Sequence, residues 1–244
     1  MKEICFVIPC KNKNSAIIEE CLRSIRRFYE SADIHIVDSD SEDKQGILSL
    51  KSEYNFFFHD IKNTNYSTGA IWYIFDKFTE AYENYFLIHD SATILGKVKN
   101  LQEILIAPIM SGELDEETKW PRITGHTRTN KFALEEFEKN NLPFTEDFVS
   151  ILGPMFLIKS KILKEIKQTG FYSIRPRNKY ESECMERMWG VIFCHLGYRQ
   201  EILDKSLLGR FRQAQTPDNI GGLSCRTHYV SEGDTVRKHW IKRS

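Results

Sequence analysis

Short apolar runs and helix-spaced stripes alternate along the first 95 residues of the chain. Residues 3–9 form an apolar run flanked by polar residues, too short for a helix and suited to a strand buried on both faces. Ser15 can cap the stretch that follows, in which Ile17, Ile18, Cys21, Leu22, Ile25 and Phe28 recur at helical spacing as far as Tyr29. A second strand, Ile34 to Val37, ends on the acidic turn Asp38-Ser39-Asp40-Ser41-Glu42-Asp43. The pattern then predicts a helix over 43–50 and a third strand over 54–58. Ser67 or Thr68 can cap a longer helix whose stripe, Ile71, Ile74, Phe75, Phe78 and Tyr82, suits the core. A fourth strand, Tyr85 to Ile88, runs into His89-Asp90-Ser91. The order β-α-β-α-β-α-β calls for a mostly parallel sheet.

The second half is less regular. Residues 111–147 are polar and weakly periodic, with Trp120-Pro121 and Leu142-Pro143. A strand over 151–158, a helix over 159–167 closed near Gly170, a helix over 181–196 closed by Gly197 and a strand over 198–203 follow. The tail after Ser206 carries Gly209, Pro217, Gly221, Gly222 and Gly233 without a sustained period, and reads as loop-rich. With 244 residues and 41% hydrophobic content, the chain can bury a core as one domain with an appendage.

Charge narrows the partners. The 34 basic and 34 acidic side chains cancel, so no global field favours nucleic acid or an anionic membrane. The last 35 residues are rich in Arg and Lys, and the basic residues there include Arg210, Arg212, Arg226, Lys238, His239 and Arg243. Six cysteines show neither a C-x-x-C pair nor zinc spacing, and read as reduced thiols of a cytoplasmic protein. No signal-like segment precedes the first strand and no apolar run approaches ~20 residues, so no transmembrane segment is expected. The abundance of Asn, Lys, Ile, Phe and Tyr suits an AT-rich genome, such as that of a large DNA virus or a host-associated bacterium.

The candidate chemistry lies at strand ends. In open α/β sheets ligands bind outside the carboxyl ends of the strands. Pro9-Cys10-Lys11-Asn12 ends the first strand, where Pro9 terminates pairing and leaves the following backbone to face a ligand. Asp38 and Asp40 end the second, where carboxylates suit ribose hydroxyls or a divalent metal; Asp43 reads first as a helix cap. Asp90 ends the fourth and could hold a divalent ion against a diphosphate, or bond its own backbone as a turn residue. His89 beside it reads first as structural.

These segments resemble the inverting glycosyltransferases of family 2. Val7-Ile8-Pro9-Cys10-Lys11-Asn12 is similar to that family's "V-I-P-x-x-N" strand, and Ile36-Val37-Asp38-Ser39-Asp40-Ser41-Glu42-Asp43 to its "I-V-D-D-x-S-x-D". Gly153-Pro154-Met155-Phe156-Leu157-Ile158-Lys159-Ser160, running on to Gly170-Phe171, resembles "G-x-x-x-x-x-R-R … G-x-F". Glu186-Arg187, eleven residues ahead of Gly197-Tyr198, keeps the spacing from the family's "E-D" to its "G-Y". The resemblance spans residues 4 to 198 and departs in two places. Ile88-His89-Asp90 keeps one carboxylate of the Asp-x-Asp metal motif, and Met185-Glu186 stands where Glu-Asp is usual.

The resemblance implies a GT-A (Rossmann-like) α/β fold: a mostly parallel central sheet flanked by helices, with a loop-rich C-terminal segment. Residues 1–205 would be the transferase domain, 1–95 binding the nucleotide sugar and 96–205 the acceptor, while 206–244 would close over the site. It implies an NDP-sugar donor (a UDP-sugar first) and a glycan or other hydroxyl acceptor. Donor contacts would be Pro9, Lys11, Asn12, Asp38, Asp40, Asn65, Gly69, His89, Asp90 and Arg243. Mn²⁺ or Mg²⁺ would be held by Asp90 and His239, with His228 the rival to His239. Glu186 would be the general base, Glu183 one turn before it the rival and Glu181 a third. Trp120 and Trp189 are candidates for stacking on acceptor sugars. A nucleotide-sugar- or glycan-binding pseudo-enzyme is the alternative raised by the incomplete metal motif. A nucleotidyltransferase is disfavoured, because no Gly-rich, basic phosphate loop follows the first strand.

Overall fold

A computed structural model of the chain describes residues 1–12, 15–98, 104–109, 127–143, 150–199, 211–212, 217–220, 223–230 and 236–241. For 105–109, 127–130, 150, 152 and the segments from 211 onward it gives the backbone course alone.

The first half follows the alternation of the sequence. β1 (Lys2–Cys10), α1 (Ser15–Phe28) and β2 (Asp33–Asp38) are followed by two one-turn helices, α2 (Gln45–Leu48) and α3 (Lys51–Tyr54). Then come β3 (Phe57–Asp60), α4 (Tyr66–Phe78), β4 (Tyr82–Leu87) and the short β5 (Ala92–Ile94). The second half holds β6 (Ile104–Ile109), α5 (Thr127–Lys139), β7 (Ser150–Lys159), α6 (Ser160–Lys167) and α7 (Lys179–His195). In the tail, β8 (Phe211–Arg212), β9 (Pro217–Ile220), β10 (Leu223–Val230) and β11 (Val236–Ile241) complete the order.

The main sheet has the order β3-β2-β1-β4-β7-β6. β3, β2, β1 and β4 run parallel, while β7 is antiparallel to both β4 and β6. Only β7 is therefore reversed, which is the mostly parallel, helix-flanked sheet that the sequence predicts. Side chains alternate across it. Val7, Val37, Leu87 and Phe156 face α4, α6 and α7, whereas Phe6, Ile8, Ile36 and Phe86 face α1. Both faces are covered, which is why these strands read as unbroken apolar runs.

Several boundaries differ from the sequence pattern. The helix expected over 43–50 is two short turns, and Tyr54, expected in a strand, closes the second of them. Tyr82 belongs to β4 rather than to the stripe of α4, and α4 begins at Tyr66 with no side-chain cap from Asn65. The 3₁₀ turn Gly170–Ser173 starts where Gly170 was expected to stop a helix; α6 is capped at Gln168 instead. α5 was not foreseen, although Phe132, Ala133 and Phe137 bury one face of it. The tail holds strands where loop was expected. β10 pairs with β9, β8 and β11, and β11 pairs with β5, forming a second, antiparallel sheet. Gly221-Gly222 between β9 and β10 is the hairpin signal that the tail's lack of period concealed. The strand expected over 198–203 lies outside the described residues beyond Arg199. No helix among the described residues is long and apolar enough to cross a membrane.

Candidate active site

The carboxyl edge of the sheet is built from strand-end turns that are tied to one another. Cys10 on β1 pairs with Asp38 on β2, and Ser39 N–H donates to the Cys10 carbonyl at 2.9 Å. The backbone then turns left-handed at Asn12, with φ 48°. There Asn12 N–H donates to Ser41 Oγ at 2.7 Å, and Glu42 N–H donates to Asn12 Oδ1 at 3.0 Å. Two turns 30 residues apart in the chain thus share reciprocal hydrogen bonds. Asn tolerates the left-handed region better than most residues, so its place here has a backbone reason as well as a bonding one.

Asp38 is fully buried, and its carboxylate is met from within. Ser41 N–H donates to Oδ2 at 2.8 Å, the Ser41 hydroxyl donates to Oδ1, and Cys10 Sγ lies 3.6 Å from Oδ1. Asp40 is exposed and left-handed, with φ 61°. Lys44 Nζ is 2.9 Å from Asp60 and 3.7 Å from Asp40. The ammonium is held above its ordinary pKa, first by the hydrogen bond to Asp60, with Asp40 and Asp38 adding to it. A lysine therefore occupies the position a cation would take among these carboxylates. Of the two roles open to the acidic turn, accepting hydrogen bonds from hydroxyls suits it better than caging a metal.

The third group is the start of α4. Asn63 Nδ2 donates to Ser39 Oγ at 3.1 Å and to the Tyr66 carbonyl at 2.5 Å, while its Oδ1 accepts from Asn65 N–H at 2.8 Å. A Cβ on Gly69 would fall 1.9 Å from that Oδ1, so Gly69 leaves room for the Asn63 amide. Asn65 Nδ2 donates to the Pro176 carbonyl at 3.0 Å, just ahead of α7. α4 follows a parallel strand, so its N-terminus lies at the carboxyl edge, and this bond brings the first turns of α7 to the same edge. Asn63 and Lys44 were not singled out from sequence, and Ser41 was named only within the acidic turn. Asn63-x-Asn65 ahead of a helical run is the turn signal that points to the first of them.

The carboxylates of α7 differ in what they do. Glu181 closes a capping box: Asn178 Oδ1 accepts from Glu181 N–H, and Glu181 Oε2 accepts from Arg177 N–H at 2.6 Å. Those bonds engage Glu181 at the start of the helix. Glu183 pairs with Lys179 at 3.3 Å. Glu186 pairs at 3.0 Å with Arg187, whose guanidinium also donates to the Glu183 carbonyl at 3.2 Å. The Arg187 side chain is 11% exposed and that of Glu186 20%, so this pair is the better shielded of the two. Trp189 corrects a sequence expectation. It is fully buried among Trp72, Phe156, Phe171 and Phe193 and stacks on no acceptor. Its position three residues past Glu186 turns it inward, toward β7 and α4. Trp120 lies outside the described residues.

Across β1 from the acidic turn, Ile88 N–H donates to the Val7 carbonyl at 3.1 Å, after which His89-Asp90-Ser91 leaves the sheet. Asp90 is 2% exposed, and Ala92 N–H closes its turn onto the His89 carbonyl at 3.0 Å. Two strand spacings, ~10 Å, separate β2 from β4, so the backbones of Asp38 and Asp90 flank β1 from opposite sides. The register of the second sheet places Lys238, the neighbour of His239, against Ala92, two residues past Asp90. Among the described residues no three His, Cys, Asp or Glu side chains gather as a metal cage. Pro9 is half-buried and Lys11 exposed at the edge; Arg243 lies outside the described residues.

No protein-family model matches the chain, and no curated protein matches it. Among solved structures it is similar to S. aureus TarS 1–349, at 12% identity and a TM-score of 0.46 over 78% of this chain and 55% of that one. With the same protein in complex with UDP-GlcNAc the values are 14% and 0.48, over 78% and 53%. With its UDP complex they are 13% and 0.45, over 78% and 55%. The chain spans about half the length of these structures. Overlaps this loose give neither a substrate nor a residue role.

Proposed function

We propose that this protein is an inverting glycosyltransferase that binds an NDP-sugar, a UDP-sugar first, at the carboxyl edge of its sheet and passes the sugar to a hydroxyl acceptor. The observation that carries the reading is the bond from Asn65 to the Pro176 carbonyl. It brings the start of the helix that carries Glu186 to the edge that holds the acidic turn, which supports a base on α7 acting beside a donor at that turn. The acidic turn receives the nucleoside, with the exposed Asp40 as an acceptor for ribose hydroxyls and the buried Asp38 bracing the turn through Ser41. Glu186 takes the proton of the acceptor hydroxyl as that oxygen bonds to the anomeric carbon. The bond from the anomeric carbon to the diphosphate oxygen breaks on the opposite face, and the NDP leaves. Arg187 holds the Glu186 carboxylate in place, which favours it over the more exposed Glu183.

A divalent ion at this edge would have one carboxylate, Asp90, to hold it. Asp90, with His239 from the strand that pairs with β5, would hold Mn²⁺ or Mg²⁺ with oxygens of the diphosphate. When bound, the ion would neutralise charge on the leaving group. A nucleotide-sugar- or glycan-binding protein without transfer is the second reading, favoured by the single carboxylate in Ile88-His89-Asp90. Incubation with a panel of NDP-sugars and Mn²⁺ separates the two. Release of NDP, abolished in Glu186→Gln while nucleotide binding survives, is the expected result. No release across the panel would favour the binding protein, and unchanged turnover in Glu186→Gln would remove Glu186 as the base.

A further inference from the structure

The amino end of the sheet, opposite the acidic turn, holds a cavity of about 590 Å³. It lies between the start of β1, at Lys2 to Ile4, the chain that leaves α1, at Arg26 to Ala32, and Lys97-Val98 beyond β5. β1 meets the acidic turn only at Cys10, so a strand length, roughly 25 Å, separates the two places. A volume of this size accommodates a small molecule. The negative end of α1 would by itself repel an anion here. Arg26 offsets it: the guanidinium donates to the carbonyls of Glu30 at 3.0 Å, Ala32 at 2.7 Å, Tyr54 at 2.8 Å and Asn55 at 2.7 Å. Those bonds also pin the chain that forms one wall. Tyr29 pins another, since its hydroxyl accepts from Val98 N–H at 2.8 Å and ties the 97–98 segment to the helix end.

Two cations of the lining have no carboxylate. Arg27 lies over the Phe28 ring at 5.4 Å and Lys97 over the Tyr29 ring at 5.9 Å, and among the described residues neither forms an ion pair. Lys2 differs, because Asp33 holds it at 2.8 Å. Glu3 and Glu30 line the same cavity, and among the described residues they too pair with no cation. Ser31 adds a hydroxyl. Charges that would neutralise one another thus stay apart around one space. Guanidinium and ammonium groups suit a phosphate, while carboxylates and a hydroxyl accept from alcohol groups. A bare phosphate would leave the carboxylates facing an anion, and an uncharged sugar would leave both cations unpaired. A ligand that carries both parts matches the whole lining.

We propose that this cavity is a second ligand site, separate from the donor edge, that takes a phosphorylated sugar. Arg27 and Lys97 hold its phosphate, and Glu3, Glu30 and Ser31 accept from its hydroxyls. The proposal does not depend on the nucleotide-sugar reading of the carboxyl edge.

The test is calorimetric titration of the whole chain with glucose 6-phosphate and glucose 1-phosphate, and with glucose and inorganic phosphate as their separate halves. At least one sugar phosphate is expected to bind roughly 10-fold more tightly than either half. Arg27→Gln/Lys97→Gln, at two exposed positions, should lose roughly 10-fold in that affinity, with UDP binding unchanged. No binding of either sugar phosphate overturns the site, as does equal affinity in wild type and the double variant. Displacement of the sugar phosphate by UDP also overturns it, because the ligand would then sit at the carboxyl edge. Inorganic phosphate bound as tightly as the sugar phosphates overturns the sugar class and marks an adventitious ion only. A wild type that binds a sugar phosphate through Arg27 and Lys97 but does not bind UDP upholds this site and counts against the nucleotide reading instead.

Discussion

A methyl group added at Gly170 and one added at Gly69 meet different obstacles. At position 170 the Cβ would lie 2.5 Å from the backbone carbonyl oxygen of Asn140 at the end of α5, and no side chain can rotate out of its way. At position 69 it would meet the amide of Asn63, which can swing aside only by giving up its bonds to Ser39 and Tyr66. Gly170→Ala is therefore expected to lower unfolding free energy by about 1–3 kcal/mol, the usual cost of overpacking. Gly69→Ala should lose less, because Ala gains ~1 kcal/mol over Gly inside a helix, while weakening nucleotide binding through the displaced Asn63. Urea titration of both variants checks the order, and equal stability of Gly170→Ala and wild type would mean that α5 yields. Neither reason was legible in the sequence. Gly170 looks like a helix stop and Gly69 like a ligand contact, since the atoms that demand a glycine come from Asn140 and Asn63, outside the local pattern. Trp189 fails for the same reason: its spacing from Glu186 is visible, but the direction of its helix face is not.

At the scale of elements, what the sequence conveys well is strand ends. Asn12 and the acidic turn were placed correctly because a buried parallel strand shows as a bounded apolar run, and its end is where polar residues resume. Hidden was the join between the two turns, made by Ser41. Its hydroxyl donates to Asp38 and accepts from Asn12 N–H, so Ser41→Ala leaves a buried carboxylate and a backbone N–H each short of a partner. The expected cost is about 1–3 kcal/mol, with nucleotide affinity falling alongside because the turn loses its shape. Native-like stability and binding in Ser41→Ala would show that water replaces the hydroxyl. The short tail strands were hidden for a different reason. β9 spans only Pro217–Ile220 and β8 only Phe211–Arg212, lengths at which alternation cannot be told from chance.

On the scale of the molecule, one hydrogen-bond chain crosses from the amino end of the sheet to the helix layer, and its direction can be worked out. Tyr82 Oη donates to Asp33 at 2.7 Å, so it accepts from His35 Nε2 at 2.8 Å. His35 Nδ1 is then the acceptor of the 2.9 Å bond from His59 Nε2. His59 Nδ1 in turn faces the Tyr73 hydroxyl, which accepts from Lys77 at 3.1 Å. Every link points from the Lys77 ammonium toward the Asp33 carboxylate, and the network assigns both imidazoles as neutral. Protonating His35 would set two N–H groups against each other across the 2.9 Å gap. Burial lowers the pKa of each ring to about 4, helped for His35 by His59 and for His59 by Lys77; Asp33 opposes the shift at His35 and Lys2 adds to it. The unfolded chain, with ordinary histidines near 6.5, therefore binds more protons than the folded one between about pH 6.5 and about pH 4. Folding stability contributed by the pair is intact above that window, falls as pH drops through it and levels off below. Urea titrations across the window should show this decline in the wild type and a flatter profile in a His35→Gln/His59→Gln double variant, whose amides can still donate and accept. Identical pH profiles would mean that the two rings titrate as freely folded as unfolded, and that the chain from Lys77 to Asp33 does not constrain their protons. No single stretch of sequence foretells this, because β2, β3, α4 and β4 each supply one or two of its members.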